Sequence, residues 1–293
     1  MRVLLTGASG QLGSYLVDRL RTTGHDLIAW SGTTLGERAG VVLKPVNLAD
    51  PEAIDLALED ANPELILHAA ALSSPDAVRL DPDGGQAVNV RATEHLADWC
   101  RRHNRRLVYT STDLVFDGNR PWNQEDDPAE PILAYGRTKL QGEPAVLATP
   151  FGLVARLSLL FGPSQTGQPS YFDHTIDGLR RGQTQTLLED EFRTPLHYAN
   201  AADLLVRLAE SSATGLVHVG GPERVSRFDL IRRVAARLGF DPGLVLANRR
   251  ADLNLPEVRP ADVSLDTQRL ARLLPDAPRL TIDNAILLIY INH

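Results

Sequence analysis

From residue 1 to about 158, short runs of consecutive apolar residues alternate with longer stretches whose apolar positions recur every three or four residues. The first run, Arg2-Val3-Leu4-Leu5, breaks into Thr6-Gly7-Ala8-Ser9-Gly10-Gln11-Leu12-Gly13, after which Leu12, Leu16, Val17 and Leu20 share one helical face. Further strands are expected over His25 to Trp30, Val41 to Val46, Glu64 to His68, Arg106 to Ser111 and Phe151 to Leu157. Unbroken apolar runs mark strands covered on both faces, and strand–helix alternation is what a parallel sheet with crossover helices requires. Asp50-Pro51-Glu52 reads as a helix start, with Asp50 as the N-cap and Pro51 at the first position. A long helix is expected from about Gly85 to His103, with Asn89 on its first turns.

The expected fold is therefore α/β, a Rossmann-type doubly wound parallel sheet with helices on both faces. After Phe161-Gly162-Pro163 the pattern changes. Gly, Gln and Ser cluster up to Ser170, a helix is expected from Tyr171 to Arg181, and Glu189 to Pro195 reads as a polar loop. A helix over Ala201 to Ser211, a strand over Leu216 to Val219 and a helix over Phe228 to Leu238, capped by Ser226, complete this part. We expect residues 1–158, with a return over roughly 196–220, to form the larger domain. Residues 159–195 and 221–293 then form a smaller C-terminal substrate lobe, with a cleft at the junction. The apolar run Ala285 to Ile291 could be a buried strand, an oligomer contact or a foreign tail.

Composition narrows the picture. The 293 residues are 43% hydrophobic and 23% charged, the balance of a soluble globular chain. A formal net charge of −7 argues against nucleic acid as a partner. One cysteine, Cys100, leaves no internal disulfide and no cysteine-based zinc cluster, and the eight histidines show no metal-ligand spacing, so no metal is expected. No apolar run is long enough to span a bilayer, and a strand begins within a few residues of the N-terminus; a cytoplasmic protein with no membrane contact is expected.

Candidate chemistry sits where strands end. The glycine turn Gly7–Gly13 follows a strand and opens a helix, so its backbone can approach a diphosphate at the helix N-terminus; Gly7, Ser9, Gly10, Gln11 and Leu12 are expected to bind a dinucleotide there. The spacing is G-x-x-G-x-x-G rather than the commoner G-x-G-x-x-G. The second strand ends at Ser31-Gly32 without the acidic residue that suits NAD, while Arg38 lies within reach of a 2′-phosphate, which favours NADP and still admits NAD. Asn47 and Leu48 are placed near the adenine, and Ala69, Ala70 and Ala71 would let the backbone approach the cofactor. Thr112 ends the strand Arg106 to Ser111, and Tyr135 and Lys139 are four apart on a helix. Residues i and i+4 share a face, so the ammonium can sit beside the phenol and draw its pKa toward working pH. Lys139 is one of only two lysines, so a chance pairing with Tyr135 is rare.

These residues resemble the extended short-chain dehydrogenase/reductase family, and within it the dTDP-4-dehydrorhamnose reductase branch. The match rests on Thr6–Gly13, on Ser111-Thr112-Asp113-Leu114-Val115-Phe116-Asp117-Gly118 and on Tyr135-Gly136-Arg137-Thr138-Lys139. Gly220-Gly221-Pro222-Glu223 and Arg259-Pro260 through Leu265-Asp266-Thr267 extend it to about residue 272. The resemblance implies Thr112, Tyr135 and Lys139 as the catalytic set, with Lys139 also holding the nicotinamide ribose. Hydride would pass to C4 of a 4-keto-6-deoxy sugar nucleotide, with Tyr135 protonating the oxygen. Leu114 stands where the branch commonly has Tyr, and Arg193 where Gly is usual. Asp113 and Arg193 are expected on the substrate side, Arg193 pairing with the diphosphate. An epimerase or dehydratase of the same superfamily, or a non-catalytic NADP-binding regulatory protein, remains an alternative, and a homodimer is allowed.

Overall fold

The computed structural model describes residues 1–254 and 256–291. Eight strands form one sheet, in which β1 (Arg2–Thr6), β2 (Asp26–Ser31), β3 (Gly36–Arg38), β4 (Val41–Pro45), β5 (Leu65–His68), β6 (Arg106–Thr112) and β7 (Gly152–Leu157) are joined by Gly215–Val219. Their spatial order is Gly215–Val219, β7, β6, β5, β1, β2, β4, β3. All neighbours are parallel except β3 and β4. The order reverses between β1 and β5, so the switch point lies where the glycine turn and His68–Ala71 leave the sheet.

The apolar runs serve two cores at once. Val3, Leu5, Leu65, Leu67, Val108, Leu153 and Ala155 face one side, where the helices Gln11–Arg21 and Tyr198–Glu210 pack. Leu4, Ile66, Leu107, Tyr109 and Val154 face the other, against Pro51–Ala61 and Ala92–His103. Successive side chains of a strand point to opposite faces, so a run rather than an alternation covers both. Asp50 caps Pro51–Ala61 as expected, its Oδ1 accepting from Glu52 N (3.0 Å) and Ala53 N (3.2 Å).

Four expectations are corrected. The helix expected from Gly85 to His103 is a short turn Pro82–Gly85, a wide π turn Gln86–Arg91 and an α-helix Ala92–His103. The π turn carries Asn89, a buried amide bonded to Leu72 and Thr138. Glu189 to Pro195 is not a simple polar loop, since Phe192–Arg193 pairs with Val225–Ser226 and Glu191, Arg193 and Thr194 are buried. The run at Ala285 to Ile291 belongs to a helix, Ile282–Ile291. Its Ile282, Ala285, Ile286 and Ile289 recur at helical spacing and complete the core of the smaller lobe with Phe172, Leu187, Ile231 and Val245. That lobe also contains the parallel pair Gln185–Leu188 and Val245–Asn248. It does not hold everything after residue 221. Gln268–Leu273 packs back on the sheet through Leu270, and Val263 and Leu265 pack with Leu114, Val115 and Phe116.

Candidate active site

Gly7 takes a left-handed conformation (φ 73°) directly after β1. A Cβ there would lie 2.7 Å from Ala70 N, and one on Gly13 would lie 1.9 Å from Gly7 O. The turn is therefore wedged between the Ala69–Ala71 backbone and the first turn of its own helix. Beneath it His68 is buried, its Nδ1 2.7 Å from Thr6 Oγ1 and its Nε2 3.0 Å from Thr93 Oγ1. Burial, with Lys139 adding to it, pushes the imidazole down to about 3. His68 is thus a neutral strut that ties the ends of β1 and β5 together; Thr6 Oγ1 also accepts from Ala70 N at 3.1 Å.

A cavity of about 610 Å³ opens over these strand ends. Gly7, Ser9, Gly10, Gln11, Leu12, Ser31, Asn47, Leu48, Ala69, Ala70, Ala71, Thr112, Tyr135, Lys139 and Arg193 all line it. Arg38 and Asp113 do not. Arg38 donates to Ser14 O (3.4 Å) and Gln165 Oε1 (3.2 Å), with a further bond to Gln165 O, so its guanidinium clasps a loop instead of waiting for a phosphate. Asp113 is fully buried behind the wall. Its Oδ2 accepts from Arg193 Nε at 2.6 Å and from Ser158 Oγ at 3.0 Å, and its Oδ1 from Arg193 Nη2 and from Thr112 Oγ1 (3.3 Å). Two of the three guanidinium nitrogens of Arg193 are thereby occupied, and Nη1 faces Glu191 at 3.6 Å. The expected pairing of Arg193 with a substrate diphosphate gives way to a buried, fork-shaped ion pair inside the protein.

Thr112 ends β6 and caps the single turn Asp113–Val115, its Oγ1 accepting from Leu114 N at 3.2 Å. The helix Ala134–Leu147 carries Tyr135 and Lys139. It meets the Leu114 carbonyl so closely that a Cβ at Gly136 would lie 2.1 Å from that oxygen, which explains a glycine beside the tyrosine. Lys139 is 1% exposed, and its ammonium lies 4.1 Å from the Tyr109 ring centroid with no hydrogen-bond partner. Burial pushes it down to about 7 against the pull of Glu143. That carboxylate is already engaged by Arg156 (2.7 and 3.0 Å) and by Ser111 Oγ (2.5 Å). A buried ammonium without a hydrogen bond is costly, and it lines a cavity that presents hydroxyls and backbone.

Burial and the Asp113 charge raise the Tyr135 phenol above its ordinary value. The cation opposing that rise is Arg193, not Lys139 as the spacing suggested. Spacing along a helix reports which face two residues share; which charge reaches the phenol depends on a strand about sixty residues further on.

Several cavity residues carried no local signal: Trp30, Thr33, Ser73, Leu159 and Arg227 reach the wall only through folding. Arg259 was visible as part of Arg259-Pro260, without a role. Arg227 and Arg259 also border a second pocket of about 570 Å³ in the smaller lobe, walled by Tyr171, Phe172, Leu187 and Ile231. Among the described residues the first cavity has three arginines and a lysine on its wall and no carboxylate.

A glycine turn at the switch point with a Thr, Tyr and Lys around one cavity defines a dinucleotide-binding protein of the extended short-chain dehydrogenase/reductase class. More narrowly, the chain belongs to the RmlD substrate binding domain family, whose model matches residues 1–280. It is 31% identical over 280 residues to a probable low-salt glycan biosynthesis reductase, Agl14, of Haloferax volcanii, covering 92% of this chain and 91% of the relative. It is 30% identical to the dTDP-4-dehydrorhamnose reductase of Mycobacterium tuberculosis, covering 94% and 88%. The methionine adenosyltransferase 2 subunit beta of Rattus norvegicus is also 30% identical, with 93% and 82% covered. Among solved structures, a Bacillus anthracis dTDP-4-dehydrorhamnose reductase in complex with NADP superimposes with a TM-score of 0.87 at 21% identity, covering 100% of this chain and 99% of that one. No helix among the described residues is long and apolar enough to cross a membrane.

Proposed function

We propose that this chain is an NAD(P)H-dependent reductase of a 4-keto-6-deoxy sugar nucleotide, with Tyr135 as the proton donor. One observation carries the reading: a buried Lys139 ammonium without a hydrogen-bond partner shares a cavity with the glycine turn, Thr112 and Tyr135. The turn Gly7–Gly13 and the end of β2 would hold the dinucleotide, which when bound would supply the hydride. Lys139 suits the nicotinamide ribose diol, which would give its ammonium the acceptors it lacks, and the turn at Gly7–Gly13 suits the diphosphate. Thr112 orients the carbonyl oxygen, and the Tyr135 phenol, kept protonated by its burial, donates to that oxygen as charge develops.

The end of β2 presents Ser31, Gly32 and Thr33 to the cavity and no carboxylate, which suits a 2′-phosphate and supports NADP ahead of NAD, although Arg38 is engaged elsewhere. On the substrate side, Arg227 and Arg259 stand where the two pockets meet, so a diphosphate there would leave its base in the apolar pocket of Tyr171 and Phe172. Kinship with M. tuberculosis and H. volcanii proteins named as reductases supports the same reaction class.

The test is cofactor oxidation with dTDP-4-keto-6-deoxyglucose-derived ketones and both reduced nicotinamides. Net consumption is expected, faster with NADPH, and Tyr135→Phe should lower kcat by about 10²–10⁴-fold while retaining cofactor binding. Product formation without net consumption would instead identify an epimerase. The rat relative, named as a subunit of a transferase, favours a second reading: a non-catalytic NADP-binding subunit. Tight NADPH binding with no turnover of any 4-keto sugar nucleotide would select it.

A further inference from the structure

Thr112 and Tyr135 are backed by a pair of charges, one from each lobe. Asp113 follows Thr112 directly and is fully buried, while Arg193 arrives on the strand Phe192–Arg193 and is 5% exposed. That strand is fixed on both sides: it pairs with Val225–Ser226 on one, and on the other Phe192 N donates to Ala261 O at 2.7 Å and Val263 N donates to Phe192 O at 3.1 Å. Asp113 gathers Thr112 Oγ1, Ser158 Oγ and two nitrogens of Arg193 on its two oxygens. Glu191 then links Arg193 to Arg227, whose Nε is 3.2 Å away at the border of the second pocket. A line of charge, buried at Asp113, Arg193 and Glu191 and half-buried at Arg227, runs from the Thr112 hydroxyl across the lobe junction.

We propose that Asp113 and Arg193 are a positioning pair, one member from each lobe, that fixes Thr112 in place and governs how Tyr135 hands its proton to the reacting oxygen. This rests on the reductase reading. Neither residue is required to touch substrate. Asp113 holds the Thr112 hydroxyl, and the balance between the two charges sets how firmly the phenol keeps its proton. The groups around the phenol are Asp113, Arg193, Lys139 on its own helix and Tyr109 beneath it, with Arg227 and Arg259 on the same cavity wall. Among these, Asp113 works to raise the phenol and Arg193 to lower it. Burial disfavours the Arg193 charge, but Asp113 and Glu191 outweigh it, so the guanidinium remains a cation.

A purely structural salt bridge and a positioning pair predict different behaviour when one partner is neutralised. The readout is fluorine NMR of a fluorotyrosine placed at position 135, whose lowered intrinsic pKa brings its titration into the range where the protein stays folded. Asp113→Asn leaves Arg193 charged and should lower the apparent pKa of that phenol by about one unit. Arg193→Met should move it upward, and Asp113→Asn with Arg193→Met should bring it back toward the parent protein. In turnover of a 4-keto sugar nucleotide, Asp113→Asn should lower kcat about tenfold or more, with the cofactor KM unchanged. Where Asp113→Asn does not fold, Arg193→Met is read in its place: charge and fork both lost, kcat lower at unchanged cofactor KM, phenol shifted up. A phenol unmoved in folded variants would overturn the pair and leave the reductase reading standing. Shifted phenols in a set of proteins that turn over no 4-keto sugar nucleotide, parent included, would remove the reductase reading and the pair's catalytic role, and leave only the electrostatic coupling.

Discussion

The two ends of the cavity are built on opposite principles. At the cofactor end almost everything is backbone and small side chains: Gly7, Gly10, Gly13 and Ala69–Ala71 create room by lacking atoms, and His68 holds them while uncharged. At the substrate end the wall is charged, with Arg193 paired to Asp113, Arg227 to Glu191, and Arg259 nearby. A dinucleotide presents the same diphosphate in every enzyme, and close-approaching N–H groups suffice for it. A variable substrate needs side chains that can be exchanged without moving the sheet. The comparison teaches that shape at one end and charge balance at the other are separable, and substitutions should affect them differently.

The sharpest attack on the cofactor end is Gly13→Ala. Its Cβ would lie 1.9 Å from Gly7 O, a backbone atom that cannot swing aside, so a loss of about 3 kcal/mol or more is expected by thermal denaturation. A near-parent melting temperature would show that the turn is looser than its geometry indicates.

Lys139 lies between the two ends and gives the next largest effect. Its folded-state pKa of about 7 is below that of an unfolded lysine, near ~10.4. Between those values the unfolded chain holds the proton and the folded one does not, so stability of the free protein rises with pH through that window and is lowest below it. Lys139→Met should therefore stabilise the cofactor-free protein at pH 6 by roughly 2–3 kcal/mol, remove that rise and weaken cofactor binding. Denaturant titrations at pH 6 and pH 9 measure this, and an equal effect at both would break the assignment.

Smaller again is Arg227→Ala, expected to raise the sugar-nucleotide KM about tenfold with the cofactor Kd unchanged, a difference of about 1.4 kcal/mol. A parallel loss of cofactor affinity would mean that the two ends are not separable. Least of all, Arg38→Ala should release Gln165 and speed NADP exchange by roughly threefold, less than 1 kcal/mol, measured by stopped-flow fluorescence. A large loss of NADP affinity would return Arg38 to the 2′-phosphate.

The cofactor end was legible because its signals are local. Gly7–Gly13 are consecutive, Tyr135 and Lys139 share one helical face, and each apolar run that became a strand lies next to the residue it delivers. The substrate end was not. Glu189 to Pro195 is polar by composition and buried in fact, because each of its charges meets a partner from a distant segment: Arg193 with Asp113, Glu191 with Arg227. Ala285 to Ile291 looked like a strand, a contact or a tail because apolar residues occupy nearly every position. Only the groove left by the smaller lobe selects Ile282, Ala285, Ile286 and Ile289 as the inward face of a helix.

By itself, then, the order of residues determined the strand–helix alternation, the glycine turn and the Tyr135–Lys139 pair, since each is written in neighbours along the chain or one helical turn apart. The tertiary structure decided which charge faces which. Arg193 went to Asp113 rather than outward, Arg38 to Gln165, and Lys139 was left without a hydrogen-bond partner. Coulomb energies depend on separations and on the polarity between the charges, and both are fixed only when segments far apart in sequence pack together and exclude water.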